Sequence, residues 1–295
     1  MLLTVFTPSY NRGHLLRACF DSLAKQDIEF EWLIIDDGST DDTAATVADM
    51  RLESPFPIHY HWQENAGKQA AWNVACNLAT GKYFIGLDSD DQITANGLSQ
   101  FLTYIPILER DSKIIGVRAC AVRTSDGKND AENFFQEGQV LSWFEEFSRP
   151  SSHGERIDVL KTAEIRKFPY PVAQGTKFIP EIWFYATISA EGYRFIYSTA
   201  PVRVFLDDHT HMRLSRSSLF AHAKGHLISR TVLLNAVPGS KWIKNPVALA
   251  KTIIRLAQVR AAENVGIFSG GGLDKRAFPY LIFISPAQLI LSWFK

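Results

Sequence analysis

Trp32-Leu33-Ile34-Ile35-Asp36-Asp37-Gly38-Ser39 is an unbroken apolar run that stops on two carboxylates and a glycine. Bulky apolar residues without polar alternation describe a strand covered on both faces, as in a parallel sheet. The pattern recurs on either side. Residues 2–7 form a first apolar run, which ends at Pro8-Ser9-Tyr10-Asn11, and residues 83–88 form another, which ends in Asp88-Ser89-Asp90-Asp91. Residues 58–62 and 114–123 read as further strands. Between them, residues 14–25, 43–50, 68–79 and 94–108 show helical spacing; in the first, Leu15, Leu16, Cys19, Phe20 and Leu23 recur on one side. Strand–helix alternation predicts an α/β fold, a mostly parallel sheet with helices on both faces. Such sheets bind ligands at the carboxyl ends of their strands. The polar clusters fall there, which predicts a single site.

Composition excludes several classes. The chain has 295 residues, and Lys+Arg and Asp+Glu both number 31. A zero formal charge gives no whole-chain attraction to nucleic acid, so no nucleic-acid partner is expected. The three cysteines, Cys19, Cys76 and Cys120, lie far apart in apolar stretches and read as buried thiols of a reducing compartment. The first residues are too short and uncharged for a signal peptide, and no apolar run reaches the ~18 residues of a membrane span. Residues 125–154 read as a loop region with a short helix. Residues 177–191 read as a helix, 195–197 and 202–206 as strands, and 219–235, 246–264 and 280–293 as helices. The expected division is an α/β domain, 1–215, in two halves (1–123 and 124–215), then a helical C-terminal extension, 216–295.

The acids carry the chemistry. In extended chain Asp88 and Asp90 face the same way, and close carboxylates repel unless a cation or proton lies between them. A hard ion, Mn²⁺ or Mg²⁺, suits such oxygen ligands and a diphosphate. Helix capping accounts for one acid of this group, not three. Asp41 and Asp42 are explained as acids favoured by the dipole of the next helix. Asp36 and Asp37 come earlier, where a carboxylate can accept from a base edge or a ribose hydroxyl. Asn65-Ala66-Gly67-Lys68 opens a helix whose N-terminus favours anions, and Gly67 permits close backbone approach. No phosphate-binding P-loop or GxGxxG pattern occurs.

In this order, Thr7-Pro8-Ser9-Tyr10-Asn11-Arg12, Ile35-Asp36-Asp37-Gly38-Ser39-Thr40-Asp41, Asn65-Ala66-Gly67-Lys68, Gly81-Lys82-Tyr83 and Leu87-Asp88-Ser89-Asp90-Asp91 resemble the family 2 glycosyltransferases of bacterial type, which have the GT-A fold. The resemblance covers residues 2–122 well and is absent after 217. It implies a donor nucleotide pocket lined by Pro8, Tyr10, Asn11, Asp36, Asp37, Asn65, Gly67, Lys68, Asp88 and Ser89. Asp37 would accept from a pyrimidine ring. Asp90 and Asp91 compete for the metal-ligand role. Inverting members place an acidic base at the start of a later helix, and Glu181 fits that place. His209 and His211 would be additional metal ligands, and Arg213 and Arg216 would approach the diphosphate. The implied partners are a nucleotide-diphosphate sugar and a glycan or lipid-linked acceptor. No Gln-x-x-Arg-Trp motif occurs, so single-sugar addition is expected.

The spacing within 247–263 predicts a basic amphipathic helix. The C-terminal helices could therefore meet a membrane surface, and the expected location is the cytoplasm or the inner face of the cell membrane. Two other readings compete. A haloacid-dehalogenase-like phosphatase would use Asp88 and Asp90 but leave Asp36 and Asp37 idle. A non-catalytic nucleotide-sugar-binding module would have no use for Glu181.

Overall fold

Phe30–Asp36 (β2) is buried at every position and lies inside a nine-stranded sheet. The computed structural model describes residues 1–130, 135–149, 154–172, 175–205 and 218–292. Leu3–Ser9 (β1) pairs in parallel with β2 on one side and with Tyr83–Gly86 (β4) on the other, and Ile58–Trp62 (β3) pairs in parallel with β2 at the sheet edge. Beyond β4 come Arg156–Lys161 (β8), antiparallel to both its neighbours, then Ile114–Arg123 (β6) and Arg194–Phe205 (β9), which run parallel to each other. Gln92–Ile93 (β5) and Gln139–Leu141 (β7) pair antiparallel with β9. The mixed α/β fold with a mostly parallel sheet is the one that the sequence predicts.

Alternation along β1 distributes its side chains between two cores. Leu3 and Val5 join Leu16, Cys19, Phe20 and Leu23 of Gly13–Leu23 (α1) and Val47 and Met50 of Thr43–Glu53 (α2). Phe6 points the other way, against Trp72 of Lys68–Leu78 (α3) and Phe84. All three cysteines are buried and free, as their apolar settings imply.

Three local readings change. The expected helix over 94–108 is instead a 3₁₀ turn, Leu98–Tyr104, leading into Ile105–Arg110 (α4), after the β5 bridge. Asn96 adopts φ 57° and Pro106 supplies no N–H, so a continuous α-helix cannot form there. The helix expected from 177 begins at Ile182 (α7, Ile182–Ala190), because Pro180 disfavours helical geometry at the residue before it. The two short strands near 195 and 202 are one strand, β9, whose register shifts opposite Arg118–Ala121 take up Pro201. The sequence reading contains no β8; a buried two-oxygen contact from Arg118 to Asp158, 2.8 Å to each oxygen, fixes it beside β6.

By their contacts the described residues fall into two compact units. The first, within Met1–Leu141, Ser151–Tyr170 and Arg194–Thr210, holds the whole sheet together with α1–α4 and Thr162–Ile165 (α6). The second, within Ser142–Pro150, Pro171–Tyr193 and His211–Lys295, is helical: Trp143–Phe147 (α5), α7, Ala223–Ala236 (α8), Gly239–Lys244 (α9), Pro246–Ala262 (α10) and Leu281–Ser292 (α11). The linear boundary expected at 215/216 therefore does not follow the contacts. α5 and α7 group with the C-terminal helices, because Trp143 stacks on Tyr185 and Gly225 of α8 admits no Cβ beside the Phe178 carbonyl.

Candidate active site

The four parallel strands β3, β2, β1 and β4 all end at one edge, so the loops after them lie side by side. Asp37 N–H donates to Ser9 carbonyl (2.8 Å), and Leu87 N–H to Phe6 carbonyl (2.8 Å). Only β1 separates the Asp37 loop from the Asp88 loop, a distance of roughly 10 Å at ordinary strand spacing. The acid clusters thus share one edge, as a common site requires.

Side chains lace these loops together. Asn11 donates its backbone N–H to Ser39 Oγ (2.8 Å), and its own Oδ1 accepts from Thr40 N–H (2.8 Å). Asp41 accepts from Gly13 N–H (3.2 Å) and Thr43 N–H (3.1 Å), so it ties the starts of α1 and α2 together, a wider role than that of a dipole acid. Arg12 Nη1 lies 3.2 Å from Asp90 Oδ2 and 3.5 Å from Ser89 Oγ. Lys68, first residue of α3, places Nζ 2.8 Å from Asp88 Oδ1.

Asp36 and Asp37 separate in role. Asp36 is buried; Oδ1 accepts from Ser39 N–H (2.7 Å) and Oδ2 from the Tyr60 hydroxyl (2.5 Å). That geometry makes it a loop-holding residue. Asp37 Oδ1 accepts from Gln63 Nε2 (2.7 Å) and Ala66 N–H (2.9 Å), and Oδ2 from Gly67 N–H (2.8 Å). A carboxylate offers about four acceptor positions. Asp37 therefore builds the 65–67 turn and keeps capacity for one further N–H, as a base edge would supply. The turn then delivers Lys68 to Asp88. Gly38 makes this approach possible: it has φ 88°, and a Cβ there would lie 2.9 Å from Asn65 N. Gly38→Ala should lower stability by about 1–3 kcal/mol, read as a fall in the thermal unfolding midpoint. An unchanged midpoint would refute the close packing of these loops.

One oxygen from each of Asp88, Asp90 and Asp91 lies within 4.8 Å of the others, the sole such group of three among the described residues. The donor set, all carboxylate oxygen, fits a hard divalent cation. Three cationic side chains border it: Lys68, Arg12 and Arg203, whose Nε is 2.8 Å from Asp91 Oδ2 in an ion contact that lacks hydrogen-bond alignment. Burial would raise Asp88, but the Lys68 ammonium, with Arg203 and Arg12, outweighs it and holds that carboxyl below the usual range. At Asp91 burial prevails. Despite Arg203, and with Asp88 and Asp90 repelling, its pKa is raised.

Arg203 was not legible in the sequence. It reaches Asp91 because β9 pairs with β5, Ile93 opposite Arg203, and its Nη2 also meets Glu155 (3.1 Å). Arg203→Met should leave Asp91 buried without its counter-charge, at a cost of about 3–5 kcal/mol. Chemical denaturation checks this, and a loss under 1 kcal/mol would contradict it. Of the remaining residues, Tyr10 is half exposed beside Asn11, and Pro8 is the penultimate residue of β1. His209, His211, Arg213 and Arg216 lie outside the described residues. Glu181 belongs to the helical unit, immediately before α7; it is exposed and its side chain makes no capping bond.

The mostly parallel sheet, with acids and cations gathered at its strand ends, has a GT-A-like architecture. The glycosyl transferase family 2 model matches residues 4–153, half of the chain. The protein belongs to glycosyl transferase family 2. Among relatives, glycosyltransferase GlyG of Streptococcus pneumoniae is 31% identical over 116 residues (39% of this chain, 38% of that protein). The poly(ribitol-phosphate) beta-N-acetylglucosaminyltransferase TarS of Staphylococcus aureus is 29% identical over 140 residues (46% and 24%). The chain thus spans well under two thirds of the length of these relatives. Among solved structures, an S. aureus TarS fragment with UDP-GlcNAc aligns over 99% of this chain and 89% of its own at TM-score 0.64 and 16% identity. A mannosyltransferase from Pyrobaculum calidifontis with GDP-Man and Mn²⁺ aligns over 99% and 87% at TM-score 0.53 and 19% identity. The structural likenesses show the fold.

Proposed function

We propose that this glycosyltransferase moves a single hexose-type sugar from a UDP-sugar to a hydroxyl of a glycan or lipid-linked acceptor, with inversion and with Mn²⁺ or Mg²⁺ bound. The convergence of Asp37, Lys68 and the Asp88–Asp90–Asp91 group at one strand edge carries the reading. A uridine donor is favoured by TarS, which is similar to this chain in both sequence and fold and is known with UDP-GlcNAc.

Asp37 holds the 65–67 turn and offers its remaining acceptor position to the base. Lys68 and Arg12 supply positive charge beside the diphosphate, and Asp88 faces the ribose or sugar. Asp90 and Asp91, beside Asp88, would hold a divalent cation, which would offset charge on the diphosphate leaving group. Glu181 takes the proton from the acceptor hydroxyl as that oxygen attacks the anomeric carbon and the diphosphate departs from the opposite side. Holding donor and acceptor in line lowers the entropic cost of the encounter. The enzyme works in bacterial cell-envelope polysaccharide synthesis, in the cytoplasm or at the inner face of the membrane.

The test is a thermal-shift series of UDP- and GDP-sugars with and without Mn²⁺. A Mn²⁺-dependent rise with a UDP-sugar is expected. A rise with GDP-sugars alone would overturn the uridine assignment, and no rise with any donor would overturn the donor-site reading.

A further inference from the structure

α11 is apolar on its outer side as well as its inner one. Its buried side carries Leu281, Ile284, Ser285 and Gln288, while Ile282, Phe283, Leu289 and Ile290 face outward at 72%, 61%, 47% and 60%. At 100° per residue, the exposed positions 282, 283, 286, 289 and 290 fall within an arc of roughly 120°, and the buried positions 281, 284, 285 and 288 lie on the other side. An ordinary amphipathic helix carries polar residues on its outer side.

The register is locked from within the helical unit. Ser285 Oγ donates to Ile267 carbonyl (2.8 Å) and Gln288 Nε2 to Val265 carbonyl (2.6 Å). Gln288 Oε1 accepts from Nε of the fully buried Arg260 (3.0 Å), whose Nη2 also donates to Ser269 carbonyl (2.7 Å). Turning α11 to hide its apolar face would strip partners from these buried polar groups, at the cost that unsatisfied groups carry. The outward stripe therefore stays outward and presents an apolar face to its surroundings.

Charge selects what covers it. Residues 218–292 hold nine lysines and arginines, two of them (Arg230 and Arg260) buried, against two acids, Glu263 and Asp274, in a chain whose formal charge is zero. Lys275 and Arg276 precede the helix, next to the half-exposed Phe278. Apolar side chains on a strongly cationic background match the interface of an anionic bilayer. With 12 residues, α11 is about 18 Å long, short of the ~30 Å hydrocarbon core, and no helix among the described residues is long and apolar enough to cross a membrane. It would lie in the membrane plane.

We propose that the exposed face of α11, centred on Ile282, Phe283 and Ile290, docks this enzyme onto an anionic lipid surface. Its purpose rests on the lipid-linked-acceptor reading above; its test does not. Full-length protein is sedimented with phosphatidylglycerol-containing vesicles and with pure phosphatidylcholine vesicles, without donor. Binding to the anionic vesicles that weakens with salt is expected. The Ile282→Glu/Phe283→Glu variant should lose about tenfold or more of that partition, and Lys275→Glu/Arg276→Glu should weaken it while circular dichroism stays unchanged. Absence of vesicle binding by wild-type protein overturns the proposal, as does undiminished binding by Ile282→Glu/Phe283→Glu. If that variant instead converts a dimer to a monomer and vesicles are not bound, the face joins two copies and the lipid proposal falls. The donor thermal shift, measured separately on each variant, reports whether the protein is folded and whether the donor site is intact.

Discussion

Replacing Glu181 with glutamine should cut transfer by ~10²–10⁴-fold, the range lost with a general base, while the donor dissociation constant stays within about twofold. The substitution keeps size and hydrogen bonding but removes the proton acceptor. Glu181 immediately precedes α7 and its side chain makes no capping bond there. A purely structural role predicts a different outcome, with stability falling and KM and kcat drifting together. The informative measurement is single-turnover transfer with saturating donor, set beside donor binding by calorimetry. Transfer at the wild-type rate would remove Glu181 from the mechanism, and Glu191, at the far end of the same helix, would be the next acid to test.

The second large effect concerns Asp90. Asp90→Ala should abolish the Mn²⁺-dependent part of donor binding and lower transfer by about three orders of magnitude, as expected when several kcal/mol of leaving-group stabilisation is lost. Asp90 and Asp91 are not equivalent in the fold. Asp91 is almost fully buried against Arg203 on β9, whereas Asp90 meets the partly exposed Arg12 of the first loop. Asp91→Ala should therefore damage stability as well as metal binding, while Asp90→Ala should spare the unfolding midpoint. A full Mn²⁺-dependent shift in Asp90→Ala would transfer the ligand role to Asp91. Unchanged stability in Asp91→Ala would show that the Arg203 contact contributes little.

Much of this was legible in the sequence, for an identifiable reason. β1, β2, β3, β4 and β6 are continuous local patterns, and periodicity is a property of consecutive residues. The acids follow those strands directly, so their common edge follows from parallel topology alone. β8 was not legible: polar Arg156, Asp158 and Lys161 interrupt it, and its burial depends on Arg118, forty residues earlier. The expected helix at 94–108 is broken at Asn96 and Pro106, and β5 just before it forms only by pairing with β9, more than a hundred residues away.

The sequence by itself determined an α/β sheet, its parallel strands and the carboxylates at their tips, because each is written in neighbouring residues. Tertiary structure alone decided what each carboxylate does. Asp36 turns inward to Tyr60 and Ser39, Asp37 spends three acceptor positions on the 65–67 turn, and Asp91 finds Arg203 across a strand pairing that no local pattern announces. It also set the facing of α11, since a helix's apolar content is set by its composition but its facing is set by which buried partners its polar groups find.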